Sequence, residues 1–346
     1  MKVNIYAVSE FENFSLEWNK LNQQTHQQAI LTADFIQCLI QHFFIGTEQF
    51  VVVNKSNKIV FIGFFQRVGL GRWQTVMPSQ APLGLWLSSD GRIGEKLLAS
   101  IATALPGVVL QLDLLQADSR YLTVEPNIQQ LHYIETGNKP IPEHYDDFFK
   151  TIGKNLRQNC NKAYNRAERQ NDSFSTQVLT GPDEIVEGVK QYGDIESASW
   201  KAELGTAISA DNEQGKFYQD MMGQLAQRNA ACVWYFLVSG QVAAVDLCVI
   251  HNGNLIILKT TFDEKFAQYS PALLLKMQML KYYAEHPELK IINIEFYGKA
   301  MDWHKRLNSE LRPIVHLSWQ RSKLLQWVVS KLKHYKNNKP RQLQSE

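Results

Sequence analysis

One order of elements, strand, hairpin, strand, strand, helix, strand, connection, strand, occurs twice along the 346 residues. That repetition limits what the chain can fold into. In the first stretch, residues 49–54 (QFVVVN) have the β-branched and aromatic make-up of a short strand. A polar turn leads into residues 59–68 (IVFIGFFQRV), followed by residues 73–77. Residues 91–105 carry apolar side chains at helical spacing, Ile93, Leu97, Leu98, Ile101 and Leu105, and Pro106-Gly107 ends the run. Residues 108–115 and 130–135 predict two further strands. The second stretch repeats the order at residues 233–238, 242–250 and 255–262, punctuated by Ser239-Gly240 and the hairpin signal Asn252-Gly253. Ser270-Pro271 opens a helix whose apolar positions are Leu273, Leu274, Met277, Leu280 and Ala284. Strands at 291–296 and 314–319 follow.

Helical segments precede each stretch: 11–21 and 33–44 before the first; 146–170, 183–199 and 215–229 before the second. The expected fold is α/β, with mixed sheets in two tandem units from a duplication. The expected divisions are residues 1–140, 141–320 and a C-terminal helix and tail at 321–346. Gly137, Pro140 and Pro142 mark the join.

Charge excludes one broad class of partner. The chain has 36 basic and 34 acidic residues, a formal net charge of +2, so no global field draws it to nucleic acid. Cys38, Cys160, Cys232 and Cys248 have neither CxxC spacing nor a histidine cluster, so they read as buried reduced thiols and no metal site is expected. The N-terminus lacks the apolar core of a signal peptide, and no apolar run approaches the ~18 residues of a membrane span. The expectation is a cytoplasmic protein. One exception is local: residues 321–341 carry seven Lys/Arg and no acid beside a stripe of Leu324, Leu325, Val328, Val329, Leu332 and Tyr335. Such a segment suits either docking on the domain or peripheral contact with anionic lipid at the inner face of the membrane.

Four pieces of the second stretch resemble the GNAT acyl-CoA transferases, and more narrowly the cellulose-biosynthesis-type acetyltransferase branch related to the Fem peptidyltransferases. They are the basic segment 151–170 (TIGKNLRQNCNKAYNRAERQ); Trp200-Lys201 with Gly205-Thr206-Ala207-Ile208; Thr261-Phe262-Asp263 with Tyr269-Ser270-Pro271 and Leu273-Leu274; and Glu295-Phe296-Tyr297-Gly298 with His304-Lys305. Ala272 stands where the family usually has Gly, and His304 where it often has Tyr.

The resemblance implies acyl transfer from acetyl-CoA, or a longer acyl-CoA, to a primary amine on a small molecule or glycan precursor. An amino sugar or envelope-polysaccharide precursor is the implied acceptor. This chemistry uses no metal. The pyrophosphate would sit at the helix opening, on the N–H groups of Ser270, Ala272 and Leu273, with Lys305 nearby. Backbone N–H groups of the strand at 255–262 would hold the oxyanion.

Glu295, near the end of its strand, is the expected general base, with a strand-end salt bridge as its bland alternative. Tyr297 and His304 are the candidates for moving protons. Asp246, a carboxylate interrupting an apolar strand, must be paired or face a cleft, where it could meet the substrate amine. Trp200, Lys201 and Asp263 complete the expected substrate contacts. Two alternatives remain. One is a Fem-type transferase using aminoacyl-tRNA, permitted by the basic segment, although specific nucleic-acid readout is not expected. The other is a non-catalytic protein docking to a glycan or a membrane.

Overall fold

The computed structural model describes residues 1–198 and 212–322. Trp200, Lys201 and all but the first two residues of the basic C-terminal stretch lie outside the described residues.

The N-terminal unit runs β1 (Lys2–Tyr6), α1 (Ser15–Gln24), α2 (Ala33–Phe43), β2 (Gln49–Lys55), β3 (Lys58–Gly69), β4 (Arg72–Thr75), two short strands β5 (Trp86–Ser88) and β6 (Arg92–Ile93), α3 (Glu95–Ala104), β7 (Gln111–Asp118), the short β8 (Thr123–Val124) and β9 (Gln129–Pro140). Helices α4 (Tyr145–Thr151) and α5 (Lys154–Gln170) connect it to the C-terminal unit. That unit runs β10 (Phe174–Leu179), α6 (Pro182–Ser197), α7 (Glu213–Ala226), β11 (Ala231–Val238), β12 (Gln241–His251), β13 (Asn254–Phe262), α8 (Pro271–Glu285), β14 (Asn293–Glu295), α9 (Asp302–Arg306) and β15 (Glu310–Gln320).

The main elements of the two units follow the same order, strand, two helices, three strands, helix and two strands, with the short β5, β6 and β8 added in the first and α9 in the second. Both also begin with a strand that the sequence pattern does not announce, β1 and β10, each antiparallel to the first hairpin strand. The hairpins turn at Ser56-Asn57, Ser239-Gly240 and Asn252-Gly253, with positive φ at both positions, the geometry that matches strand twist.

All main strands join one mixed sheet in the order β1-β2-β3-β4-β7-β15-β9-β14-β13-β12-β11-β10, with β5 on β3. The order is a palindrome of the two units with one exchange. The last strand of the C-terminal unit, β15, pairs with β7 of the N-terminal unit, and β9 pairs with β14. β9 and β15 pair with each other at the centre. The polar stretch at residues 137–142 therefore begins inside paired strand, with Asn138 and Pro140 opposite Glu295 and Asn293.

One sheet face is covered by α1, α2, α6 and α7 in a core shared between units, where Phe35 and Phe43 meet Phe217 edge-on or tilted at 5.8 and 5.2 Å. The other face carries two separate cores, under α3 in the N-terminal unit and under α5 and α8 in the C-terminal unit. In α5, Leu156, Cys160, Ala163 and Ala167 recur at helical spacing and are buried, which leaves the basic face outward. All four cysteines are free and buried. Among the described residues no helix is long and apolar enough to cross a membrane.

Candidate functional site

Strands β13 and β14 are parallel for three residues only, Asn254–Ile256 beside Asn293–Glu295. Beyond that point they separate. Just past the split, β13 bulges: Lys259 faces Leu247 and Ile257 faces Cys248, which leaves Leu258 as the extra residue. A bulge leaves the extra residue outside the regular pairing and bends the strand there.

Two cavities flank the split. The first, about 420 Å³, lies between β13 and the start of α8 and is lined by Thr260, Phe262, Ala267, Ser270, Pro271, Ala272, Leu273, Lys276 and Trp303. The second, about 440 Å³, lies between the units. Gln80, Gln116 and Tyr133 come from the N-terminal side, and Tyr218, Leu258, Phe296 and Tyr297 from the C-terminal side. Phe296 and Trp303, one from each cavity, meet edge-to-face at 5.1 Å.

The first cavity is apolar with one cation in its wall. Lys276 is buried, and its Nζ donates to Asp246 Oδ1 at 2.7 Å and to Thr260 Oγ1 at 2.9 Å. Asp246 is thus paired with the chain's own ammonium. Its other oxygen is buried without a partner.

At the mouth of this cavity Ser270 occupies the N-cap position of α8 in the left-handed region, with φ 53°, and its hydroxyl makes no capping bond. The three expected donors reduce to one. The Ser270 N–H is bonded to Ala267 O and the Leu273 N–H to Ser270 O, each at 3.0 Å, which leaves Ala272. Arg166 of α5 reaches the same rim through Gln268 O at 2.9 Å, a contact the sequence reading did not single out.

Glu295 is not a free base. Its carboxylate is fully buried, and both oxygens are occupied: Oε1 by Arg120 at 2.9 Å and Asn293 at 3.1 Å, Oε2 by Arg312 at 2.7 Å. Arg312 also forks onto Asp118 at 2.9–3.0 Å, and Asn138 accepts from both arginines. This cluster joins β7, β9, β14 and β15 where the units exchange strands. The strand-end salt bridge named as the alternative is present, with these arginines as its partners.

Tyr297 lines the second cavity, but its hydroxyl turns toward Asp118 at 3.5 Å under the Arg312 guanidinium, and burial pushes its ionisation well above the usual tyrosine range. His304 is stacked on Trp303 at 3.6 Å, and its Nδ1 accepts from the Met301 N–H at 2.8 Å. Burial holds its pKa at about 4, so it is a neutral ring that caps α9 and a weak base. Lys305 is exposed and lines neither cavity. Asp263 caps the turn after β13 by accepting from the Lys265 N–H at 2.9 Å, and borders a separate hollow with Asp194 and Glu264. The structure therefore brings together Ser270, Ala272, Leu273 and the Asp246 ion pair at the first cavity. Tyr297 stands at the second, and Glu295 is sealed beside it. Among the described residues no cluster of three or more His, Cys, Asp or Glu is placed to hold a metal ion.

The sequence reading missed Gln116. Its side chain is buried at the wall of the second cavity, and its Oε1 has no partner. Its backbone is held in the left-handed region, φ 46°, by bonds from Gly84 N–H and to His316 Nδ1. Strain of this kind persists only where the surroundings impose it.

The N-terminal unit has the same split between β4 and β7, but the chain fills it. Trp86 Nε1 donates to Leu115 O at 3.1 Å, and Gly84 lies so close to that carbonyl that no Cβ fits. At the start of α3, the place corresponding to Ser270–Leu273, the Glu125 carboxylate accepts from the Glu95 N–H at 2.7 Å. A built-in carboxylate holds the anion position there.

Residues 154–305 match the family model of the acetyltransferase (GNAT) domain. Several solved structures share the fold at low sequence identity. FemX is 9% identical with a TM-score of 0.57, over 95% of this chain and 100% of that one. A conserved protein of unknown function from Bacteroides thetaiotaomicron is 11% identical with a TM-score of 0.54, over 92% and 100%. A tandem GNAT protein from the clavulanic acid biosynthesis pathway is 12% identical with a TM-score of 0.51, over 93% and 99%. Comparison with curated protein sequences gives no match.

Proposed function

From the match of residues 154–305 to the acetyltransferase (GNAT) domain model, we propose that the chain moves an acetyl or longer acyl group from acyl-CoA to a primary amine. The observation that carries this reading is the pair of cavities on either side of the β13/β14 split. A donor and an acceptor can enter from opposite faces and meet at the bulge.

In this reading the CoA pyrophosphate lies at the start of α8, on the Ala272 N–H and beside Arg166. The arm runs along β13 past Thr260. In this reading the Leu258 N–H, at the bulge, faces the thioester carbonyl and stabilises its oxyanion, a contribution of roughly 3 kcal/mol for a well-aimed donor. The amine nitrogen attacks the carbonyl carbon, the C–N bond forms, and the C–S bond breaks to give CoA thiolate. The amine's proton passes to solvent, and the thiolate takes one from solvent. Among the described lining residues of the second cavity there is no carboxylate or imidazole to act as base. The amine must then arrive unprotonated. The amide, hydroxyl and phenol groups of Gln80, Gln116, Ser79 and Tyr133 suit a polyhydroxylated acceptor such as an amino-sugar precursor.

Thermal unfolding with CoA, acetyl-CoA and an ATP control tests the donor. A ligand at ~100 times its Kd adds about 2.7 kcal/mol. A shift with the CoA species alone supports the reading; no shift at saturating CoA overturns it. A second reading, transfer from aminoacyl-tRNA, draws on the outward face of α5, which exposes Lys154, Lys162, Arg166 and Arg169. Product formation that requires charged tRNA rather than CoA would favour it.

A further inference from the structure

Lys276 lies on the second turn of α8, and its neighbours at helical spacing are Ala272, Leu273, Met279 and Leu280. A charge among them is unusual, and it does not reach out to water. Only 5% of the Lys276 side chain is exposed and none of the Asp246 side chain. An apolar pair of similar volume would often stabilise a fold as well or better. The charge therefore calls for a use.

An ammonium has three N–H bonds to donate. Asp246 Oδ1 takes one at 2.7 Å and Thr260 Oγ1 another at 2.9 Å. Among the described residues no acceptor takes the third, and Lys276 stands in the wall of the first cavity. Apart from Thr260, the one side-chain oxygen on that wall is the Ser270 hydroxyl, at the mouth. The position along the wall is defined as well. Thr260 and Phe262 share one face of β13, and both line the cavity. Phe262 is the last residue of the strand. From there to the bulge at Leu258 the strand covers roughly 13 Å at the usual rise. Thr260, and with it the ammonium, stands midway.

We infer that Lys276 donates its third N–H to an amide carbonyl of the pantetheine arm of CoA, an inference that rests on the acyl-CoA reading above. Between its pyrophosphate and its sulfur that arm carries two secondary amides. Midway along β13 an amide enters a cavity with apolar walls, where a carbonyl without a donor is costly. The ammonium meets it. Asp246 and Thr260 hold the ammonium in place beforehand, so little side-chain freedom is lost on binding. A thioester without these amides leaves the N–H unmet. The site thus favours an acyl group carried on CoA over a simple thioester of the same length.

The test is calorimetric titration of the full chain and of Lys276→Met/Asp246→Asn, which removes both charges together and leaves neither unpaired. Two ligands are compared: CoA, and adenosine 3′-phosphate 5′-diphosphate, which keeps the pyrophosphate and lacks the arm. The variant should bind CoA about tenfold more weakly than the parent and the nucleotide equally well. Equal CoA affinity in the two proteins overturns the inference and leaves the acyl-CoA reading standing. Equal losses for both ligands also overturn it, since they mark a disturbed fold rather than a lost contact with the arm. A parent that binds no CoA overturns the acyl-CoA reading and this inference with it. Should the variant melt early, the wholly apolar pair Lys276→Met/Asp246→Leu takes its place in the same comparison.

Discussion

The Phe296 ring stands edge-on to the Trp303 indole at 5.1 Å, and the two form the partition between the cavities. Phe296 is the buried member and supports the sheet side; Trp303 is half-buried and supports the α8 side. Phe296→Ala is expected to cost about 3–5 kcal/mol of stability. Trp303→Ala should cost less stability but weaken CoA binding about tenfold through lost stacking area. Chemical denaturation and CoA titration measure the two separately. Equal effects on both quantities in both variants would contradict this division of roles.

Glu295 and Arg312 test clamp against base. Arg312→Met leaves Asp118 and Glu295 buried with Arg120 as the remaining cation, and should destabilise the protein by about 3–5 kcal/mol. Glu295→Gln should also lower the melting temperature, while the acid side of the pH–rate profile keeps its shape. A Glu295→Gln protein of unchanged stability whose turnover falls more than about a hundredfold would restore Glu295 as the base.

Acid stability should be set in part by His26 and His304. Burial lowers both from 6.5 to about 4. Each native ring is neutral where the unfolded ring would take a proton, so the unfolded chain binds more protons in that window. Stability is then complete above pH 6.5 and falls as the pH drops toward 4. Denaturant midpoints across this range should decline, and His26→Gln should flatten the decline. A midpoint independent of pH between 6.5 and 4 would refute the assignment.

The unpartnered Gln116 Oε1 is expected to receive an N–H or O–H of the acceptor. Gln116→Ala should raise the acceptor KM about tenfold, near the value of one hydrogen bond to a buried group, and leave the acetyl-CoA KM unchanged. Steady-state kinetics with each substrate varied in turn separates the two. A rise confined to the acetyl-CoA KM would move the acceptor out of the second cavity.

Much of the fold was legible in the sequence because the strands are strongly β-forming and the hairpins carry paired turn residues. The first strands were not, since KVNIY is short and half of FSTQVL is polar, in one unbroken run of three. The site was harder to read. Glu295 depends on Arg120, 175 residues away, and spacing along a chain says nothing of such a contact. One signal was available. Asp246 interrupts an apolar strand, and Lys276 falls on the apolar stripe of α8 between Leu273 and Leu280. Two opposite charges, each misplaced in an apolar element, implied one another, and the structure pairs them.

The exchange of β9 and β15 has a consequence for how the chain is made. Synthesis proceeds from the N-terminus, so β7 and β9 emerge long before β15, the strand that separates them in the sheet. Gln116 waits 200 residues for His316. The middle of the sheet is therefore its last part to close, and until then each half presents an unpaired edge. Contacts so distant in sequence form slowly. Once closed they leave no seam along which one half could unfold alone, and a single cooperative melting transition is the expected outcome.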